Sequence, residues 1–255
     1  MEIFDSHSHY NDEKFNKDRE EILSKVYNEG ITSLVVAGYS LKSSQEAINI
    51  ANKYEFIYTT CGISPNDIND LPDNYLEQIR TKALNDKVVA IGEIGLDYYW
   101  NKDNKELQKK IFKEQINLAN ELDLPIVIHT REAVMDTINI LKNEMECKNK
   151  GVFHCCPLNI ELIKEALKLG YYISFAGPVT FKNSKNANQV IEIVPLDRIL
   201  VETDCPYLSP EPLRGTRNDS RNLKYTIAKI AEVKNIEVEE IAKITYENAK
   251  RIFKI

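Results

Sequence analysis

Eight short runs of apolar and β-branched residues recur along these 255 residues, each followed by a longer stretch of helical period, and this alternation limits the fold more than any other feature of the chain. The runs fall at 3–5, 33–37, 57–61, 88–93, 125–129, 151–155, 171–175 and 199–202. Stretches such as Leu34-Val35-Val36-Ala37 and Pro125-Ile126-Val127-Ile128 are continuously apolar rather than alternating, the signature of parallel strands buried on both faces. Between them, 105–122 keeps Leu107, Ile111, Leu118 and Leu122 at three- and four-residue spacing, with Phe112, Ile116 and Ala119 broadening the stripe, which predicts a helix packed on the sheet. Gly30 and Gly170 each end a helical stretch immediately before a strand, as left-handed caps do. Eight βα repeats predict an α/β fold, a single-domain (β/α)8 barrel of the TIM type. After the last strand, 206–217 reads as a proline- and arginine-rich loop. Asp219 or Ser220 is expected to cap a helix reaching about Val233, and 238–253 continues helically, closing the outer ring.

All four histidines, His7, His9, His129 and His154, stand where one of these runs gives way to polar residues, and Glu93 and Asp204 occupy equivalent places. In such barrels the catalytic groups collect at the C-terminal strand ends. Residues two apart on an extended strand project to the same face, so His7 and His9 can chelate one ion. Glu93 follows Val88-Val89-Ala90-Ile91-Gly92, where an unpaired buried carboxylate would cost several kcal/mol. A cation or a pair with Arg131 resolves that cost, and the cation is the expectation. Asp97 reads more simply as a turn or capping residue. Six imidazole and carboxylate donors exceed what one zinc requires, so two divalent ions (magnesium, manganese or zinc) are expected, with Glu93 as the bridging carboxylate.

The segments HSHY after the first strand, GEIGLDYYW, PIVIHTRE, GVFH, ISFAGPVTFKN and VETDCPYLSPEPLRGTRN, in this order, resemble the TatD family of metal-dependent deoxyribonucleases over essentially the whole chain. The resemblance implies a metallo-dependent hydrolase barrel, one cation on His7, His9, Glu93 and Asp204, and a second on Glu93, His129 and His154. Three departures stand out: Ser64 occupies a position where the family usually has histidine, Cys155-Cys156-Pro157-Leu158 replaces the usual CFSG, and the RGxRN segment continues into Asp219-Ser220.

The expected activity is hydrolysis of DNA phosphodiesters from an end, probing single-stranded or terminal DNA rather than a long duplex track. Glu93 and Asp204 are the catalytic candidates, Asp204 either as proton acceptor or as ligand alone. Net charge is −6, the wrong sign for a chain that grips nucleic acid with its whole surface, so phosphate must be held locally. Arg131, Lys182, Arg214 and Arg217 on the expected mouth loops are the candidates for that contact. Tyr98, Tyr99 and Trp100 either stack on an unpaired base or cover the rim.

No GxSxG, P-loop or GxGxxG appears, which removes the serine-hydrolase, nucleoside-triphosphatase and dinucleotide readings. Five cysteines, an odd number without a CxxC pair, are expected as free thiols. The opening MEIFDSHSHY has no signal-peptide pattern and no run is long enough for a membrane span, so a cytoplasmic chain without an obligate protein partner is expected. Two rivals remain. One is a metal-dependent hydrolase of an ester, cyclic amide or aminoacyl linkage, which Glu93 disfavours because many such relatives carry a modified lysine there. The other is a metal-binding scaffold without turnover.

Overall fold

The computed structural model describes all residues, Met1–Ile255. The apolar runs form β1 (Ile3–Ser8), β2 (Ile31–Val36), β3 (Ile57–Cys61), β4 (Val88–Asp97), β5 (Ile126–Arg131), β6 (Gly151–Phe153), β7 (Tyr172–Phe175) and β8 (Ile199–Val201). They pair in parallel in sequence order. Outside them run α1 (Arg19–Asn28), α2 (Leu41–Ala51), α3 (Tyr75–Ala83), α4 (Lys105–Glu121), α5 (Val134–Asn139), α6 (Ile160–Lys168), α7 (Ala187–Ile193), α8 (Leu223–Lys234) and α9 (Val238–Phe253). The expected eight-stranded barrel is therefore present. No helix is long and apolar enough to cross a membrane.

Gly30 and Gly170 take φ of 96° and 88° where α1 and α6 hand over to β2 and β7, the conformation a side chain would resist. Asp219 accepts from the Arg221 N–H and starts a 3-10 turn, Ser220–Asn222, that leads into α8 rather than capping α8 itself. Leu107 departs from expectation: it is 41 % exposed, and the adjacent inward position is taken by a polar residue, Gln108, which is buried.

One apolar cluster gathers Phe4, Val35, Val89, Val127, Val152, Tyr172 and Leu200 from seven strands, with Tyr58 of β3 packed against it. Only the inside of a barrel brings so many strands together. Ala249, Ile252 and Phe253 of α9 join the same cluster, and the Phe253 ring stacks on Phe4 at 6.1 Å, so the last helix plugs the barrel from below. Because side chains alternate along a strand, the inward Val127 and Val152 place His129 and His154, two residues on, on the same inner face but higher. The period that builds the core thus aims the imidazoles.

The seam between β1 and β8 is closed by unlike contacts. Asp204 donates its N–H to His7 O (3.0 Å), His9 donates to Cys205 O (2.8 Å), and Ser6 Oγ donates to Val201 O (2.9 Å). Asp5, fully buried, accepts from Thr203 N–H (3.0 Å), Thr203 Oγ1 (2.6 Å) and Ser220 Oγ (2.6 Å); burial lifts its carboxyl to about 7, although Ser220 and Thr203 pull the other way. The residues that seal the barrel are also those that carry His7, His9 and Asp204 to a common point.

β4 and β5 approach so closely that a Cβ on Gly95 (φ 142°) would overlap the carbonyl oxygen of His129, whereas Gly215 (φ 90°) has open space around it. Gly95→Ala should lower stability by more than about 2 kcal/mol, and Gly215→Ala by about 1 kcal/mol. Urea unfolding followed by circular dichroism checks both; equal costs would show that close strand approach does not govern this end of the barrel.

Candidate metal centre

At the upper end of the barrel the four histidines and two acids meet. His7 Nε2 lies 3.1 Å from His9 Nε2, 3.5 Å from Glu93 Oε2 and 3.6 Å from Asp204 Oδ1. His9 Nε2 lies 3.8 Å from Glu93 Oε2 and 3.2 Å from Asp204 Oδ1. Four donors at metal-ligand distance from one tetrahedral centre stand roughly 3.3–3.4 Å apart, so this set fits a single cation. The other oxygen of the same glutamate meets a second set: Glu93 Oε1 is 2.9 Å from His129 Nδ1 and 3.4 Å from His154 Nε2, and those two nitrogens are 3.2 Å apart. Three mutually close donors leave the remaining side open. The stacking of His7 on His154, ring centroids 4.0 Å apart, also brings His7, Glu93 and His154 within reach of a common point, but the split of the Glu93 oxygens distinguishes the two sets.

The charges agree with this fit. Burial would raise Glu93, yet His154, His129 and His7 outweigh it and hold the carboxyl well below its ordinary value. Asp204 is likewise lowered against its burial, by His9 first. On the imidazole side burial is overcome in three of four cases. His154 stands well above its ordinary value because of Glu93 and Glu202, His129 is raised by Asp97 and Glu93, and His9 by Asp204 and Glu93. His7 alone is lowered, by burial and then by its neighbour His154. The carboxylates pull three of the four imidazoles up and are themselves pulled down, so the buried acids favour positive charge beside them, the place a cation would take.

A layer of carboxylates and amides holds the donors. Asp97 Oδ2 sits 3.0 Å from His129 Nε2, and Asp97 is kept at about 2 because His129 and the Trp100 N–H outweigh its burial. Gln108 on α4 grips the end of β4 through both amide atoms, its Oε1 accepting from Asp97 N–H (2.8 Å) and its Nε2 donating to Asp97 O (3.0 Å). Glu202 Oε1 lies 3.4 Å from His154 Nδ1 and accepts from the Cys155 N–H at 2.6 Å. Orienting carboxylates of this kind fix an imidazole's tautomer and raise its basicity as a ligand. The Nδ1 atoms of His7, His9 and His154 are buried without a hydrogen-bond partner, the Glu202 carboxylate lying beside that of His154 at ion-pair distance.

Asp97 is thus more than the turn residue it resembles, and Glu202 drew no attention in the sequence. The cost of a buried acid in an apolar run, which singles out Glu93, applies equally to Glu202, 1 % exposed after Leu200-Val201. Gln108 carries no comparable signal. The alternative partner for Glu93 is set aside by geometry, since the Arg131 guanidinium lies 3.9 Å over the Tyr99 ring.

A cavity of about 840 Å³ opens over the donors, with Glu93, Asp204, Arg131 and Trp100 on its wall. Of the four basic residues expected at the mouth, Arg131 lines this cavity. Lys182 is exposed on the loop after β7, outside the lining. Arg214, stacked over Phe181 at 4.3 Å, and Arg217 border a neighbouring depression, and Arg217 is tied bidentately to Asp18 (3.0 and 2.5 Å). Ser64 is spent on its own loop, donating to Asp67 Oδ2 at 2.7 Å. All five cysteines are free thiols; Cys155 and Cys156 line the cavity and Cys205 is buried.

The family model described as TatD related DNase matches residues 4–254. An uncharacterized metal-dependent hydrolase of Bacillus subtilis is 44% identical over 253 residues, spanning 99% of this chain and 99% of that protein. A 3'-5' ssDNA/RNA exonuclease TatD of Pectobacterium carotovorum is 32% identical over 259 residues, spanning 99% of this chain and 100% of that protein. Among solved structures, a TatD homolog from Escherichia coli K12 matches with a TM-score of 0.93 at 27% identity, covering 99% of this chain and 98% of its own.

Asp97→Ala should weaken zinc binding at the His129 side by roughly 10–100-fold while leaving binding at the His7–His9 side intact. Calorimetric titration of the chelator-treated chain reads both events; an unchanged isotherm would remove Asp97 from the site.

Proposed function

This chain belongs to the TatD-related DNase family of metal-dependent hydrolases, and on that premise we propose that it hydrolyses phosphodiester bonds of DNA, working inward from a single-stranded or frayed end. The observation that carries the reading is the divided glutamate: one carboxylate presents Oε2 to His7 and His9 and Oε1 to His129 and His154. We assign His7, His9, Glu93 and Asp204 to one divalent cation and Glu93, His129 and His154 to the other, magnesium, manganese or zinc. Such ions, when bound, supply Lewis acidity and water of lowered pKa, the chemistry that attack on a phosphodiester requires.

The rest follows from the side chains. Glu93, kept well below its ordinary value by His154, His129 and His7 against its burial, balances local positive charge without needing a proton. Asp204 engages the histidines through Oδ1 and stands on the cavity wall, where it serves as acceptor for the proton released by the attacking water. Arg131, on the same wall, is the basic side chain placed to meet a phosphate, with Lys182, Arg214 and Arg217 as candidates farther along the strand. Local cationic groups in an open cavity reconcile an acidic chain with a polyanionic substrate, and an open-ended pocket suits a terminus. The Pectobacterium relative's name supports the nucleic-acid class.

Labelled oligonucleotides, single-stranded and duplex, tested beside ester and amide substrates with manganese, magnesium or zinc decide the bond type. The expected result is oligonucleotide shortening that chelation abolishes and that Glu93→Gln lowers on the order of 10³-fold. Turnover of only the ester or amide, or nuclease activity unchanged in Glu93→Gln, would overturn the proposal.

A further inference from the structure

The segment that follows β4 carries three aromatic residues, and the structure gives them different surroundings. Tyr98 is buried, and its hydroxyl donates to Asp136 Oδ2 at 2.6 Å, so it covers the barrel rim. Tyr99 has one face occupied by the Arg131 guanidinium. Trp100 is different: it is 65 % exposed, lines the same cavity as Glu93, His129 and Asp204, and its indole Nε1 has no hydrogen-bond partner. A tryptophan serving only as a lid would be covered, because leaving this much indole in water forgoes its hydrophobic contribution.

Three contacts hold the indole in place. The Trp100 N–H and Tyr99 N–H both donate to Asp97 Oδ1, at 3.0 and 2.9 Å, and Oδ2 of that same carboxylate contacts His129. The Tyr99 ring meets the indole edge to face, centroids 4.8 Å apart at 88°. The Arg131 guanidinium lies 5.6 Å from the indole. One acid therefore ties the orientation of a metal-facing imidazole to the position of an open aromatic face, and the adjacent cation is placed for the phosphate that such a face would accompany.

We propose that Trp100 is the stacking platform for the nucleobase next to the scissile phosphate, with Arg131 holding that nucleotide's phosphate, so that the chain selects unpaired bases. The inference rests on the nuclease reading and adds the contact that makes single strands preferred. Every base has a π-face, so the contact tolerates any sequence but requires a base that is free of its complement. Cavity size is compatible, since about 840 Å³ lies within the usual range for sites that enclose a ligand of nucleotide size.

Trp100 is the chain's one tryptophan, so its fluorescence reports this site alone. The intact protein in magnesium is titrated with non-hydrolysable phosphorothioate hexathymidylate and with a base-free oligomer of equal length. Binding of each is followed separately by displacement of a fluorescein-labelled strand. Hexathymidylate should quench the indole and bind more tightly than the base-free oligomer. Trp100→Ala should lose roughly 5- to 150-fold in affinity for hexathymidylate, falling to the base-free level, while Trp100→Phe keeps most of it. The substituted side chain is on the surface, and the phenylalanine variant controls for folding. Strand binding with unchanged indole emission, or with full affinity in Trp100→Ala, would overturn the platform and leave the nuclease reading standing. Failure of the wild-type chain to bind or cut any oligonucleotide would overturn both.

Discussion

Glu93 sits among four imidazoles with its two oxygens turned to different pairs, and the upper half of the molecule is organised around that division. A carboxylate this deep is untenable alone, since an unpaired buried charge costs several kcal/mol. Imidazoles by themselves answer the cost only by keeping protons, which burial opposes. Bound cations would answer it for all six groups together. The interaction that would make the site chemically capable would therefore also reconcile an acid-rich, histidine-rich barrel mouth with folding.

The barrel supplies the precision. Alternation along β5 and β6 lifts His129 and His154 from the apolar layer of Val127 and Val152, and α9 closes that layer beneath them. His7, His9 and Asp204 arrive by another route, the seam of β1 and β8, where Asp5, Thr203 and Ser220 replace the regular ladder with side-chain contacts. Asp204 itself has φ of 54°, a backbone region that β-strands do not use, at the point where the chain turns its carboxylate into the cavity. Stability and site geometry meet in the same few residues there.

Much of this was legible in the sequence because apolar periodicity is a direct consequence of burial. Continuous runs such as 125–129 gave both faces away as buried, and a His or Glu at the end of such a run has few bland explanations. The residues that hold the donors were harder to see. Asp97 looks like a turn former because it is one: its Oδ1 caps the Tyr99 and Trp100 N–H groups while Oδ2 meets His129, and no local pattern announces a second task. Gln108 lies on α4 at an inward position where the stripe led one to Leu107, and its value comes from two backbone atoms of Asp97, on the preceding strand rather than on its own helix. Of the basic residues, only Arg131 reaches the cavity, since charge on a loop says nothing about which way that loop folds; Arg217 is paired with Asp18 instead.

Membership of a metal-dependent hydrolase family and the geometry of six donors support one proposal: that the cage holds two cations, one on either side of the Glu93 carboxylate. Diffraction from crystals grown with manganese or zinc, recorded at the metal's absorption edge, measures it directly. Two anomalous peaks about 3.5–4 Å apart, flanking Glu93, are the expected outcome. A single peak with Glu93 at its periphery, or none among these side chains, would contradict the account.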